Sequence, residues 1–70
     1  MKKSYIVNLK YETRYWQLWF VAEDNASTVK KWENCLKNIP VLGESCNETN
    51  EFYKAAVSMF CKAGFTMICK

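Results

Sequence analysis

The chain has 70 residues and a net charge of +3, from 10 Lys and Arg against 7 Asp and Glu, and 50% of its residues are hydrophobic. This composition excludes a disordered chain and predicts one packed domain over residues 1–70. The charge is too small to indicate a nucleic-acid binder by itself and has the wrong sign for a mimic of DNA. The lack of histidine removes the commonest general base and metal ligand.

The N-terminal residues do not predict an export signal. Met1, Lys2 and Lys3 could open a secretory leader, but Asn8 and Lys10 interrupt the apolar core of about 7–15 residues that must follow. No segment approaches the roughly 20 apolar residues of a membrane span. We therefore expect a complete small protein without a membrane partner, located in the cytoplasm, or in the host cytoplasm if a virus encodes it.

The first third of the chain predicts a β-hairpin, because apolar and polar side chains alternate from residue 5 and residues 15–22 are rich in aromatic and β-branched types. A two-residue loop at 13–14 or a four-residue loop at 12–15 aligns the apolar residues, whereas a three-residue loop scatters them. Thr13-Arg14 is not a typical two-residue turn, which favours the longer loop. Both loops predict the pairs Tyr11–Trp16, Leu9–Leu18, Val7–Phe20 and Tyr5–Ala22.

A helix is predicted after residues 22–28, which carry cap residues and acidic charge. Its apolar stripe is Val29, Trp32, Leu36 and Ile39, at helical spacing. Pro40 predicts an end near Asn38, and residues 41–46, which include Gly43, are predicted as a connection.

A second helix is predicted from about Thr49 to Ala63, with the apolar stripe Phe52, Ala56, Met59, Phe60 and Ala63. Residues 45–48 fit a capping box, although Asn47 or Thr49 could cap equally well. Gly64 is placed to end the helix, and residues 65–69 predict a third strand. The expected fold is a small β-β-α-α-β domain of the α+β class, with a three-stranded, mostly antiparallel sheet and two helices packed on one face.

The sheet face away from the helices, here called the outer sheet face, is predicted to be apolar. The helices would cover the face that carries Val7, Leu9, Trp16, Leu18 and Phe20. The outer sheet face carries Ile6, Asn8, Lys10, Tyr15, Gln17, Trp19, Val21 and Ile68. Monomers rarely leave such a patch bare, so residues 41–47 or a terminus, a second copy, or another protein should cover it. We expect a homodimer, which is compatible with a further protein partner.

The four cysteines do not indicate a metal centre. Cys35, Cys46, Cys61 and Cys69 contain no C-x-x-C pair, and disulfides could connect them in three ways that the sequence does not separate. Without an export signal, we expect reduced, mostly buried thiols, and neither a metal nor another cofactor.

The sequence favours a non-enzymatic interaction protein that binds a protein partner and modulates its activity, with inhibition as the expected effect. It contains no recognisable nucleophile with a base, no carboxylate pair and no phosphate-binding glycine loop. In size and composition the chain is similar to accessory proteins with which bacteriophages and other mobile elements inhibit host machinery. That likeness is one of class and involves no particular residues.

Two other functions stay open. A nucleic-acid-binding module would stack bases on the sheet aromatics and contact phosphates through Lys2, Lys3 and Arg14. These residues would gather with Lys10, Tyr15 and Trp19 at one end of the hairpin. A nucleotide or small-ligand binder would form its pocket at a dimer interface.

Overall fold

The structure is a computed structural model that describes the backbone of residues 1–69 and the side chains of residues 1–68. Its elements are β1 (Lys2–Tyr11), β2 (Arg14–Glu23), α1 (Ala26–Ser45), α2 (Thr49–Lys62) and β3 (Thr66–Cys69). The strands pair antiparallel in the order β1-β2-β3, so β2 is central. The predicted α+β domain is confirmed.

The core lies between one face of the sheet and both helices. Every second residue of β1 and β2 points into it, as strand alternation predicts, and α2 adds side chains at one-turn spacing. The buried residues are Tyr5, Val7, Leu9, Leu18, Phe20, Ala22, Cys35, Phe52, Ala56, Phe60 and Phe65.

Aromatic rings join the layers of this core. The ring of Phe20 is centred 4.9 Å from that of Phe60 and 6.0 Å from that of Trp32. Trp32 in turn lies 5.1 Å from both Tyr5 and Phe65. Trp32 therefore connects α1 to β1 and to the segment that follows α2, and such aromatic pairs each contribute about 0.5–1.5 kcal/mol beyond the area they bury.

The hairpin register differs by two residues from the predicted one. The observed pairs include Tyr11–Arg14, Leu9–Trp16, Val7–Leu18 and Tyr5–Phe20. The loop consists of Glu12 and Thr13, and Glu12 adopts a φ of 57°, in the left-handed region that the first residue of a tight hairpin loop requires. The predicted loops at 13–14 and 12–15 are therefore wrong. A shift of two residues keeps every side chain on its face, so the apolar pattern cannot separate the two registers.

Helix α1 begins as predicted but ends later. The side chain of Asn25 accepts a hydrogen bond of 2.8 Å from the backbone N–H of Thr28 and caps the helix. The helix then continues through Pro40 to Ser45, so the predicted end near Asn38 is wrong. Pro40 removes the N–H that would bond the carbonyl of Leu36, but both residues are exposed, and water can satisfy that carbonyl.

Packing explains why α1 continues. Ile39, Leu42 and Cys46 all pack against the core. This packing stabilises a helix that continues to residue 45 over an irregular connection that would leave these side chains in water. The stripe is also rotated from the predicted one, because Cys35 is buried whereas Leu36 is 38% exposed. Residues 41–47 therefore lie on the helix side of the sheet and do not cover the outer sheet face.

The ends of α2 follow the predictions only in part. Ser45 lies in α1 and donates to the carbonyl of Leu42 at 3.1 Å, so the predicted capping box over residues 45–48 is wrong. The Glu51 carboxylate instead accepts the backbone N–H of Asn47 at 2.8 Å. Glu48 is the N-cap and makes no side-chain cap bond.

The C-terminal end of α2 is confirmed as a glycine-terminated helix. The N–H of Phe65 donates to the carbonyl of Phe60 and that of Gly64 to the carbonyl of Cys61, each at 3.1 Å. Gly64 has a φ of 107°, which allows this double closure, known as a Schellman motif.

Two side chains, Cys35 and Tyr11, have a raised pKa in the folded chain. Burial raises the pKa of the Cys35 thiol above its ordinary value of 9.0. Burial and then the negative charges of Glu12, Cys46 and Glu51 raise the pKa of Tyr11 above 10.0. The Tyr11 hydroxyl donates to the carbonyl of Cys46 at 2.8 Å, tying the turn of the hairpin to the connection between the helices.

We expect the free energy of unfolding to fall as the pH rises past about 9, because the unfolded chain then releases the Cys35 and Tyr11 protons while the folded chain retains them. Urea denaturation at a series of alkaline pH values measures the slope. The variants Cys35→Ala and Tyr11→Phe should each have a shallower slope than the parent. A stability that stays constant up to pH ~11 would contradict this assignment.

Candidate functional site: the outer sheet face

The structure places the predicted outer-face residues on the side of the sheet away from the helices. Ile6 lies opposite Trp19, Asn8 opposite Gln17 and Lys10 opposite Tyr15. Val21 is half-buried on the same face of β2. The large exposed side chains are Ile6 at 47%, Tyr15 at 70%, Trp19 at 40% and Ile68 at 49%. Their role in binding stays a prediction.

A β-bulge lies beside the tryptophan of this face. Trp19 pairs with Cys69 whereas Phe20 pairs with Met67, so Ile68 is an extra residue between two regular pairs. Bulges re-aim side chains and increase local twist. Here the bulge lies where β3 meets the centre of the outer sheet face.

Hydrogen bonds within the face orient its tryptophan. The Trp19 Nε1–H donates to Gln17 Oε1 at 2.9 Å, and Gln17 Nε2 donates to Asn8 Oδ1 at 3.2 Å. The only donor of the indole is therefore satisfied by the protein itself. A molecule that covers Trp19 can remove it from water without leaving that donor unpaired, which avoids a cost of about 1–3 kcal/mol.

Lys10 is the one charged residue among the eight predicted for the outer sheet face. Its Nζ lies 5.7 Å from the centroid of the Tyr15 ring, within the range of a cation–π contact. Both side chains are exposed near the turn of the hairpin. The face therefore has an apolar centre around Trp19 and a polar margin toward the turn.

Trp16, predicted in the core, is only half-buried on the helix side. Its ring is centred 5.6 Å from that of Tyr53 and 6.1 Å from that of Phe52. The Arg14 guanidinium lies over the Trp16 ring, 5.7 Å from the ring centroid. Arg14 therefore lies against the helix-side aromatics near the turn.

The predicted anion contacts do not gather at one end of the hairpin. Arg14 lies opposite Tyr11 beside the turn, whereas Lys2 lies opposite Glu23 and Lys3 opposite Ala22 at the far end. A ten-residue strand separates the two groups by about 30 Å. The expected cluster is wrong because Arg14 begins β2 next to the end of β1, not next to its start. The role of each residue in binding an anion stays a prediction.

The cysteines differ in exposure. Cys35 is buried, Cys46 half-buried and Cys61 exposed, and none of the three forms a disulfide. The expectation of buried thiols thus holds for Cys35 but not for Cys61, which lies beyond the α2 stripe that faces the core. The side chain of Cys69 lies outside the described residues. Within the described part of the chain, no three metal-ligating side chains lie together and no pocket opens.

Sequence reasoning missed two features near this site. Ser4 is exposed and lies opposite Val21, so it belongs to the outer sheet face, and strict alternation along β1 would have found it. The second feature is that β1 is an edge strand. No local signal reveals this, because it depends on β3 pairing with β2.

Within residues 1–69, neither helix is both long and apolar enough to cross a membrane. Comparison with protein-family models, with curated proteins and with solved structures finds no match.

Proposed function

We propose that this chain is a non-enzymatic, cytoplasmic interaction protein that binds another protein through the outer sheet face and modulates its activity. Inhibition is the expected form, as in the mobile-element accessory proteins that it resembles in size and composition. The observation that carries the proposal is the exposed Trp19 at the centre of the face, with its donor already bonded to Gln17.

The area and composition of the face support a protein partner. Isoleucine and aromatic side chains of this size, exposed by 40–70%, leave on the order of 400 Å² of largely apolar surface. Protein interfaces combine an apolar, aromatic centre with a polar rim, and tryptophan dominates their binding energy. Trp19 and Ile6 form such a centre, and Asn8, Gln17 and Lys10 form part of the rim.

The test is affinity capture from the native host with the parent chain and with Trp19→Ala, followed by titration of the captured protein. We expect the substitution to weaken binding by about 30-fold or more, because a central tryptophan contributes roughly 2 kcal/mol or more at such interfaces. The matched control is Lys37→Ala, an exposed residue on α1 away from the sheet, which should bind as the parent does. Circular dichroism is the check that both variants remain folded.

A captured protein that binds Trp19→Ala and the parent equally would contradict the proposal, because its site would then lie elsewhere. The activity of the captured protein is measured with and without the parent chain. If that activity is unchanged, the proposed binding stands but the proposed modulation is contradicted.

Nucleic-acid binding is the second candidate, favoured by the Tyr15 ring, which is 70% exposed with Lys10 beside it. The separation of Arg14 from Lys2 and Lys3 weighs against it. Titration with single- and double-stranded oligonucleotides at increasing salt distinguishes the two functions. If binding to nucleic acid is tight, weakens steeply with salt and is lost in Tyr15→Ala, nucleic-acid binding becomes the main function in place of protein binding.

A further inference from the structure

Strand β1 has one unoccupied edge. It spans ten residues and pairs with β2 on one side, and no strand within residues 1–69 pairs on the other side. Its charged side chains, Lys2, Lys3 and Lys10, lie near its ends, so residues 4–9 form an uncharged central segment. Edges of this kind readily pair with another strand unless charges protect them.

The hairpin register determines which backbone groups point to that edge. Tyr11 and Arg14 flank a two-residue loop and so exchange hydrogen bonds with each other. Odd-numbered residues of β1 therefore bond to β2. Ser4, Ile6, Asn8 and Lys10 direct their N–H and carbonyl groups outward.

We propose that the occupant of this edge is a second copy of the chain, paired β1 to β1 in antiparallel orientation about a two-fold axis through Val7. The axis is perpendicular to the sheet, so both copies keep their helices on the same side and a six-stranded sheet forms. Val7 then lies opposite Val7, Ile6 opposite Asn8, and Ser4 opposite Lys10 of the second copy. The Ile6–Asn8 and Ser4–Lys10 pairs form the hydrogen-bonded rungs, because the backbone groups of all four residues point outward.

Charge selects this register over its neighbours. With the axis through Val7, Lys2 of each copy lies near Glu12 of the other, the loop residue that directly follows β1, at both ends of the junction. With the axis through Ile6, Lys2 would lie opposite Lys10 twice, and directly opposed like charges are destabilising. With the axis through Asn8, Lys10 would face Ile6 and the overlap would shorten. The terminal lysines thus specify a register and do not prevent pairing.

This dimer does not depend on the proposed partner, but it would enlarge the surface that a partner meets. Ile6 lies in the junction strand itself, and its cross-strand partner Trp19 lies one strand away from the junction. Pairing at the β1 edge therefore joins the two outer sheet faces into one surface and leaves both Trp19 side chains free.

The first test compares Asn8→Pro with Asn8→Ala by sedimentation equilibrium. We expect the parent to have twice the mass of one 8.2 kDa chain at a concentration of roughly 100 µM. Both variants lose the Asn8 side chain, but only proline also removes the outward N–H, and edge strands tolerate proline at such positions. The proline variant should be monomeric and the alanine variant dimeric.

The second test does not require the proline variant to fold. Glu12→Lys places like charges at both ends of the junction and should raise the dimer dissociation constant about tenfold. Adding Lys2→Glu to it should restore the parent value, because the two charges are then exchanged. Both residues are exposed, but Lys2→Glu also places a second carboxylate opposite Glu23, so urea denaturation checks that each variant remains folded.

A monomeric parent chain across the concentration range would overturn the proposal. So would a dimer that neither Asn8→Pro nor Glu12→Lys weakens. A dimer lost in Trp19→Ala but kept in Glu12→Lys would place the interface on the outer sheet face and also overturn it. Trp19→Ala should keep the dimer while losing the captured partner, so failure of this inference and failure of the proposed function give different results.

Discussion

Replacing Phe20 with alanine is expected to remove a large share of the free energy of unfolding, whereas replacing its neighbour Trp19 is expected to change that free energy little. Phe20 is fully buried in the central strand and its ring contacts those of Trp32 and Phe60. Truncating a buried phenylalanine costs about 3–5 kcal/mol. A domain of this size has only about 4–10 kcal/mol of total stability. Trp19 is 40% exposed on the opposite face and should cost about 1 kcal/mol or less.

Urea denaturation followed by circular dichroism measures both free energies. The two variants are matched, since each removes an aromatic ring from adjacent positions of β2. A larger loss of stability for Trp19→Ala would show that the faces of β2 are exchanged, and equal losses would show that Trp19 is as buried as Phe20. Either result would also remove the basis for a binding surface around Trp19.

The two glycines of the chain are expected to respond to alanine with opposite signs. Gly64 has a φ of 107°, and no atom lies within 4 Å of an added Cβ, so Gly64→Ala costs backbone strain alone, about 1–3 kcal/mol. Gly43 lies inside α1, and an added Cβ would lie 3.8 Å from Phe52 Cε1, an ordinary contact. Gly43→Ala should therefore stabilise the protein by about 0.5–1 kcal/mol.

Thermal and urea unfolding of the two variants measure this difference. A gain for Gly43→Ala supports a continuous α1 through residue 45, because only a helical glycine gains from helix propensity. A loss at Gly43 would instead support the predicted connection over residues 41–46. A Gly64→Ala variant as stable as the parent would contradict the left-handed end of α2.

The face assignments could be predicted because they depend on alternation alone. Tyr5, Val7 and Leu9 are buried while Ile6 and Asn8 are exposed, as a period of two requires. The candidate site follows from the same pattern. The stripe of α2 and its end at Gly64 were also predictable, since helical period and a terminal glycine are local signals.

The length of α1 could not be read from local rules. Pro40 usually ends a helix, but here its missing donor faces solvent, while Leu42 on the other side packs against the core. The stabilisation from that packing comes from residues elsewhere in the chain. The two-residue error in the hairpin has a similar origin, because both registers place the same residues inward and only the loop geometry at Glu12 separates them.

The amino-acid order by itself determined which side chains share a face and in what order strands and helices occur, because both follow from periodicities within a few neighbouring residues. Only the tertiary structure decided the pairing of Tyr11 with Arg14, the continuation of α1 through Pro40, and the position of β1 at the edge of the sheet. These features arise from contacts between residues distant along the chain, whose energies no local pattern contains.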